Sequence, residues 1–261
     1  MNGGEGFVAS VVRHPRWERP DRNGFVTGQA VRALRLAGAE VPPQWLDALE
    51  ACRVSRDGFS FWPRDGAPAW APRLVADVDD TALMTLELLR AGRLAPVEAR
   101  GIACRGVAAF RAHRVAAGPP WIRPGMFAVW QRPGGARQLV DCTAAVNALA
   151  LLAATGLTGV AGTAETISAI VDGVAWAEGD PLRLASLSPF YPEPDDLRNA
   201  LAHAVGEGCG DLAAVACALG PAVVPAPDAA VCASPYGLVT WHSEELQSIR
   251  ARFLTGAPPT P

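Results

Sequence analysis

Along the chain, apolar segments with helical periodicity alternate with linkers rich in proline, glycine and aromatic residues. Apolar residues recurring every three or four positions predict amphipathic helices, and a preceding Asp, Asn or Pro marks where a helix begins. These signals predict about nine helices, within residues 24–36, 44–54, 75–92, 96–117, 142–154, 163–176, 193–205, 211–219 and 242–253. Alternating strand patterns are almost absent, with 57–62 as the candidate for a brief strand or a loop. The pattern therefore predicts an all-α protein.

The helix within 75–92 begins with three carboxylates and continues as an apolar body. A helix N-terminus is stabilised by a capping carboxylate and by negative charge, which explains one acid well and three poorly. Crowded or desolvated carboxylates have raised pKa values, so one of them tends to stay protonated. Asp77, Asp79 and Asp80 are therefore candidates for a general acid that works at neutral pH.

Residues 77–82 read Asp-Val-Asp-Asp-Thr-Ala, which resembles the Asp-x-Asp-Asp-Thr-Ala motif of squalene-hopene cyclases and class II terpene cyclases. The resemblance extends upstream to the aromatic, glycine-containing segment 57–62 and to Trp70. It implies that Asp79 protonates an alkene or epoxide and starts a carbocation cyclisation, and that Asp77 and Asp80 help to keep Asp79 protonated. The implied substrate is a polyprenyl or prenylated small molecule.

The predicted helices and this resemblance together predict an α/α barrel, the toroid of helical hairpins that terpene cyclases share with protein prenyltransferases. We expect a single domain over residues 1–261, with 1–20 and 256–261 as peripheral tails; an irregular helical bundle is the alternative. Full-length cyclases have a second barrel and Gln-Trp repeats, which this chain lacks. A homodimer, a partner subunit or a small substrate could supply the missing wall.

In a barrel, the aromatic linkers and acid-headed helices would meet at one end of the cavity. Aromatic faces stabilise cations by up to about 2 kcal/mol each without offering a nucleophile. Asp141 and His242 each precede a predicted helix, so they could orient Asp79 or accept the final proton. The candidate substrate-binding residues are Trp62, Trp70, Trp121, Phe127, Trp130, Asp141, Phe190, Tyr191, Tyr236, Trp241 and His242.

Composition excludes several classes of function. All 23 basic residues are arginine, so Schiff-base chemistry and a Walker lysine are excluded. A net charge of −3 without charge blocks argues against a nucleic-acid partner. No Asp-Asp-x-x-Asp motif is present, so we expect neither a metal nor another cofactor. Six scattered cysteines indicate reduced thiols, and we expect no signal peptide, no membrane span and a cytoplasmic location.

Three other functions stay open at this stage. A zinc-dependent, prenyltransferase-like enzyme could use Asp141, Cys142 and His242, although adjacent Asp and Cys at a helix start diverge by roughly 100° and seldom bind one metal. A non-catalytic isoprenoid or lipid carrier would keep the cavity without the chemistry, and retention of Asp79 argues against it because burying a charge is costly. A helical scaffold for other proteins would expose an apolar groove.

Overall fold

The structure is a computed structural model that describes residues 6–71, 74–112, 118–132, 138–235 and 237–254. Its helices are α1 (Gly24–Leu36), α2 (Pro43–Ala51), α3 (Val78–Arg90), α4 (Pro96–Ile102), α5 (Cys142–Ala154), α6 (Thr163–Ala177), α7 (Pro181–Ser186), α8 (Pro194–Gly206), α9 (Ala213–Leu219) and α10 (Glu244–Leu254). Its strands are β1 (Ala9–His14), β2 (Trp17–Arg22), β3 (Arg53–Ser55), β4 (Gly58–Phe59), β5 (Cys232–Ala233) and β6 (Thr240–His242). A π-helical segment, Ala103–Ala108, extends α4, and a 3-10 turn, Gly210–Leu212, precedes α9.

An antiparallel four-stranded sheet, in the order β2-β1-β6-β5, shows that the prediction of an all-α toroid is wrong. The protein is a mixed α/β structure. Strand β1 joins the two ends of the chain, because Val12 pairs with Trp241 of β6. Strand β2 is at the edge of the sheet, where Pro20 and charged side chains are tolerated because one side of the strand needs no partner.

The expectation of a peripheral tail over residues 1–20 is also wrong for the part that the structure describes. Val8 and Val12 are buried, and β1 and most of β2 lie within this range. Only one face of this short hairpin is apolar, so its sequence has the polar character of a tail. The other expected tail, 256–261, lies outside the described residues.

The helical core is built on α3 and α5, which pack against each other. Residues 78–88 of α3 and 142–152 of α5 are all buried, as their apolar sequences predicted. Helix α1 packs on one side of α3 and also contacts α10, while α8 packs on α5. No described helix has the length and apolar character that a membrane span requires.

The first turns of α1, α3 and α5 lie at the same end of this core, because Phe25, Asp79 and Ala144 line one cavity. Each helix begins with a side-chain cap: Asn23 accepts from the backbone N–H of α1, Asp77 from that of α3 and Asp141 from that of α5. Capping satisfies amide groups that have no partner inside the helix. The caps therefore set where each helix starts, and packing brings the three starts together.

Candidate functional site

Two backbone bonds hold the start of α3 in place. The N–H of Asp77 donates to the carbonyl of Phe59 at 3.3 Å, and the N–H of Val78 donates to that of Val129 at 2.7 Å. The hydroxyl of Thr81 accepts from the N–H of Phe59 at 3.0 Å, which ties the threonine of the 77–82 motif to β4. These bonds fix the position of the three carboxylates relative to the aromatic segment 57–62.

The Asp79 carboxylate is held by two side chains from distant parts of the chain. Asn147 Nδ2 of α5 donates to Asp79 Oδ1 at 2.8 Å, and the Tyr191 hydroxyl donates to Asp79 Oδ2 at 2.5 Å. The amide of Asn147 is oriented in turn by Arg32 Nη1, which donates to Asn147 Oδ1 at 2.8 Å. Because both oxygens of Asp79 have fixed partners, its side chain is preorganised.

Burial raises the pKa of all three carboxyl groups. For Asp79, hydrogen bonds from Tyr191 and Asn147 oppose this increase. The pKa of Asp77 is raised to about 7, with the charge of Asp79 adding to burial and the bond from the backbone N–H of Asp80 opposing it. Burial together with the charges of Asp77 and Asp79 raises the pKa of Asp80 well above its ordinary value. Near neutral pH the cluster therefore retains protons.

Asp80 is the carboxyl group best suited to stay neutral. Its side chain is 2% exposed, and neither carboxyl oxygen has a hydrogen-bond partner among the described residues. An ionised carboxylate in that position would be desolvated without compensation. A protonated Asp80 lowers the number of negative charges in the cluster, and the raised pKa of Asp79 favours a proton on that group as well.

The three aspartates line a cavity of about 390 Å³ whose other walls are mainly aromatic. Phe25 contacts the ring of Tyr191 edge-on with 5.7 Å between centroids, and Phe61 contacts Trp241 edge-on at 5.1 Å. Burial raises the pKa of the Cys232 thiol, another lining group, well above its ordinary value, so it stays neutral. The cavity thus combines a proton source with polarisable walls that contain no thiolate.

Asp21 of β2 orients two of these aromatic walls. The indole N–H of Trp62 donates to Asp21 Oδ1 at 3.0 Å, and that of Trp241 donates to Asp21 Oδ2 at 2.9 Å. Asn23 Nδ2 also donates to Asp21 Oδ2 at 2.9 Å. One buried carboxylate thereby fixes two indole rings whose N–H groups would otherwise need other acceptors.

The structure brings nine of the predicted site residues to this cavity: Asp77, Asp79, Asp80, Trp62, Trp70, Trp130, Phe190, Tyr191 and Trp241. Trp121 and Phe127 instead belong to the hydrophobic core around α5 and α6. Asp141 caps α5 and also accepts from the N–H of Phe190, so it fixes the backbone of a residue that lines the cavity and is not itself part of the described lining. Tyr236 lies outside the described residues.

His242 does not begin a helix, contrary to the sequence-based expectation. It ends β6, where its ring contacts the Thr240 hydroxyl and the carbonyl of Asp228. Helix α10 starts two residues later, and Ser243 accepts from the N–H of Leu246 in its first turn. His242 is therefore placed away from the described lining of the cavity.

Among the residues of the site that sequence analysis missed are Trp17, Phe25, Phe61, Asn147 and Asp21. Phe61 lies within the aromatic segment 57–62 and Phe25 follows a helix cap, so a signal for these two existed. Trp17 lies in the supposed tail, and Asn147 lies within an apolar helix. Nothing local in the sequence connects Asn147 or Asp21 with the acidic motif.

The zinc alternative has no geometric support in the described part of the chain. Asp141 and Cys142 are buried at the start of α5, and burial raises the pKa of the Cys142 thiol well above its ordinary value, which disfavours the thiolate that zinc needs. No group of three or more His, Cys, Asp or Glu residues suited to holding a metal occurs among the described residues.

No protein-family model, curated protein or solved structure matches the chain. The resemblance to terpene cyclases therefore rests on residues 77–82 and the aromatic residues before them. Function has to be argued from the geometry of the cavity, because the fold differs from the toroid that the resemblance implied.

Proposed function

We propose that the protein is a protonation-initiated (class II) cyclase that converts a prenylated small molecule into a cyclic product. The observation that carries this proposal is the position of Asp79, which lines an aromatic cavity while Tyr191 and Asn147 hold its two carboxyl oxygens. The proposal does not depend on a toroidal barrel.

In this mechanism Asp79 donates its proton to a terminal alkene or epoxide of the substrate. A new C–H or O–H bond forms, and the resulting carbocation is attacked by the next double bond of the chain. The aromatic faces of Phe61, Trp62 and Trp241 stabilise the cation. A final proton loss, or capture of water, ends the reaction, and proton return to Asp79 restores the acid.

The size of the cavity favours a short substrate. Liquid water occupies roughly 30 Å³ per molecule, and taking a methylene group as about that size gives room for about thirteen such groups in 390 Å³. A farnesyl-length chain is close to this size, whereas squalene is about twice as long. We therefore infer that a sesquiterpenoid chain or a similarly sized prenylated aromatic is the substrate.

The test is turnover of a panel in heavy water with product mass spectrometry. The panel contains farnesyl and geranylgeranyl diphosphate, a prenylated aromatic, squalene and oxidosqualene. The wild-type protein should give a cyclic product that carries deuterium from the solvent, and Asp79→Asn should lower the rate by about 10²–10⁴-fold, as expected for loss of a general acid. Asp172→Asn is the control, because Asp172 pairs with Arg123 on the surface.

Two further variants assign the roles within the cluster. Tyr191→Phe should reduce turnover less than Asp79→Asn, since it removes one orienting bond and leaves the acid in place. Loss of turnover in Asp80→Asn with full turnover in Asp79→Asn would move the donor to Asp80 and retain the reaction class. Undiminished turnover in both aspartate variants would refute the mechanism.

The second candidate is a non-catalytic carrier of an isoprenoid or lipid. It is favoured by the mainly apolar lining of the cavity. Tight binding of a panel member without turnover, equal in the wild type and in Asp79→Asn, would replace the cyclase proposal with this one.

A further inference from the structure

A second cavity, of about 570 Å³, lies behind the wall that holds Asp79. Tyr191 lines both cavities and Asn147 lines the second one, so side chains that orient Asp79 lie between the two. Residues of α1, α8 and α10 form much of the remaining lining. It differs from the aromatic cavity in that four arginines line it: Arg32, Arg35, Arg90 and Arg250.

Three of the four arginines form ion pairs, and Arg32 binds Glu87 at 3.1 Å. Arg35 binds Glu87 at 2.7 Å and Glu207 at 2.9 Å, and Arg90 binds the other oxygen of Glu207 at 2.5 Å. Their guanidinium groups therefore already have anionic partners. The pairs of Arg35 and Arg90 therefore account for two of the arginines in the lining, and Arg32 and Arg250 are the other two.

Arg32 and Arg250 are incompletely paired among the described residues. Arg32 is 7% exposed, and its Nε and Nη1 donate to Glu87 and Asn147, but its Nη2 has no hydrogen-bond partner among the described residues. Arg250 Nη2 donates to Gln29 Oε1 at 3.1 Å, and no carboxylate in the described part of the chain lies within 4.0 Å of its guanidinium nitrogens. Arg250 therefore lines the cavity as a cation without a described anionic partner within that distance, and an incoming anion would supply one.

Two further groups of the lining lack partners in the described structure: Asp196 Oδ2 and His203 Nδ1. An ionised Asp196 would repel an anion, but burial raises its pKa to about 7, so it can bind as a neutral donor near neutral pH. Burial lowers the pKa of His203 to about 4, so its ring is neutral and can donate from one nitrogen. Even with Asp196 ionised, the four arginines outnumber the three carboxylates of Glu87, Glu207 and Asp196.

We propose that this second cavity is a binding site for a small organic oxyanion, whose phosphate or carboxylate oxygens are held by Arg250, with the guanidinium group of Arg32 adding positive charge to the wall. A planar guanidinium group matches the oxygens of such anions and can bind them through two parallel hydrogen bonds. The volume exceeds that of one phosphate ion, so the cavity has room for an anionic group that belongs to a larger molecule. The site is separate from the aromatic cavity, and the proposal does not depend on the cyclase reaction.

Isothermal titration calorimetry on the full chain tests the proposal with three probes: inorganic phosphate, glycerol 3-phosphate and citrate, with sodium chloride at matched ionic strength as the blank. At least one probe should bind with one-to-one stoichiometry. Stronger binding of glycerol 3-phosphate or citrate than of inorganic phosphate would show that the rest of the molecule also contacts the cavity. Arg250→Gln should weaken binding at least tenfold, because it removes a cation whose only described hydrogen bond is to Gln29. Arg183→Gln is the control, since Arg183 pairs with Glu178 on the surface.

Asp196→Asn provides a test in the opposite direction. This variant keeps the shape of the side chain and removes the charge that opposes the anion, so the best probe should bind several-fold more tightly at pH 8. Circular dichroism identifies any variant that fails to fold. Binding by none of the probes, or binding that Arg250→Gln and Arg183→Gln reduce equally, would overturn the proposal and leave a water-filled cavity.

Discussion

Glu87 in the middle of α3 offers a direct test of how the core tolerates buried charge. Its side chain is fully buried and accepts three hydrogen bonds, from Arg32 Nε at 3.1 Å, Arg35 Nε at 2.7 Å and Arg35 Nη2 at 3.1 Å. The substitution Glu87→Gln keeps the size of the side chain, removes its charge and turns an N–H₂ donor towards guanidinium donors. Helices α1 and α3 would then be joined by two arginines that have lost their shared anion.

Removal of one partner from a buried ion pair costs about 3–5 kcal/mol, because the other charge stays buried without compensation. We expect a loss of this size in the free energy of unfolding of Glu87→Gln. The matched control is Glu98→Gln, in which the lost pair with Arg53 is part-exposed and contributes less than about 1 kcal/mol. Urea unfolding followed by tryptophan fluorescence gives both values.

The reasoning would be refuted if Glu87→Gln and Glu98→Gln lost equal amounts of unfolding free energy. Such a result would mean that solvent or a neighbouring carboxylate, Glu207, compensates the two arginines after the substitution. A large loss of unfolding free energy in Glu87→Gln, with no change in the slope of that free energy against urea concentration, would support a direct effect on the folded state.

Two further predictions concern the backbone and pH. A Cβ on Gly106 would lie 1.9 Å from the carbonyl oxygen of Asp57, so Gly106→Ala should lower the melting temperature. Gly159 has open space around it, so Gly159→Ala is the control and should leave the melting temperature unchanged. Equal melting temperatures for the two variants would contradict this prediction. Burial raises the pKa of three carboxyls from 3.8 to about 7, those of Asp77, Asp141 and Asp196. The folded state therefore binds more protons than the unfolded state between about pH 4 and pH 7, and its stability should fall as pH rises through that window. His203 and His242, whose pKa values burial lowers, oppose this by at most one proton each. Melting temperatures at pH 5 and pH 8 measure the sign, and greater stability at pH 8 would show that these carboxyls ionise without penalty.

Much of the candidate site could be predicted from sequence because its acids form a contiguous motif. The three aspartates, and six aromatic residues from the linkers, do line one cavity. Trp121 and Phe127 come from the same kind of linker and pack into the core instead. An aromatic residue next to a helix start has no local feature that distinguishes a cavity wall from core, so this distinction depends on the packing of the neighbouring helices.

The fold prediction was wrong because it did not include the strands of the four-stranded sheet. Strand β1 pairs with β6, and the register places Val11 opposite His242. This pairing joins segments at opposite ends of the chain, and β6 has only three residues. Periodicity is a local signal and cannot report a partner that far away. Helical hairpins were therefore predicted where a sheet covers one side of the cavity.

The amino-acid sequence by itself determined the acidic motif and the starts of α1, α3 and α5. Asn23, Asp77 and Asp141 cap their helices through bonds to amides three residues ahead, and such short-range contacts are encoded locally. Only the tertiary structure decided that Tyr191 and Asn147 hold Asp79, across 112 and 68 residues of chain. The physical reason is that these contacts form once packing has brought distant segments together, and the same packing excludes the water that would otherwise keep the carboxylates ionised.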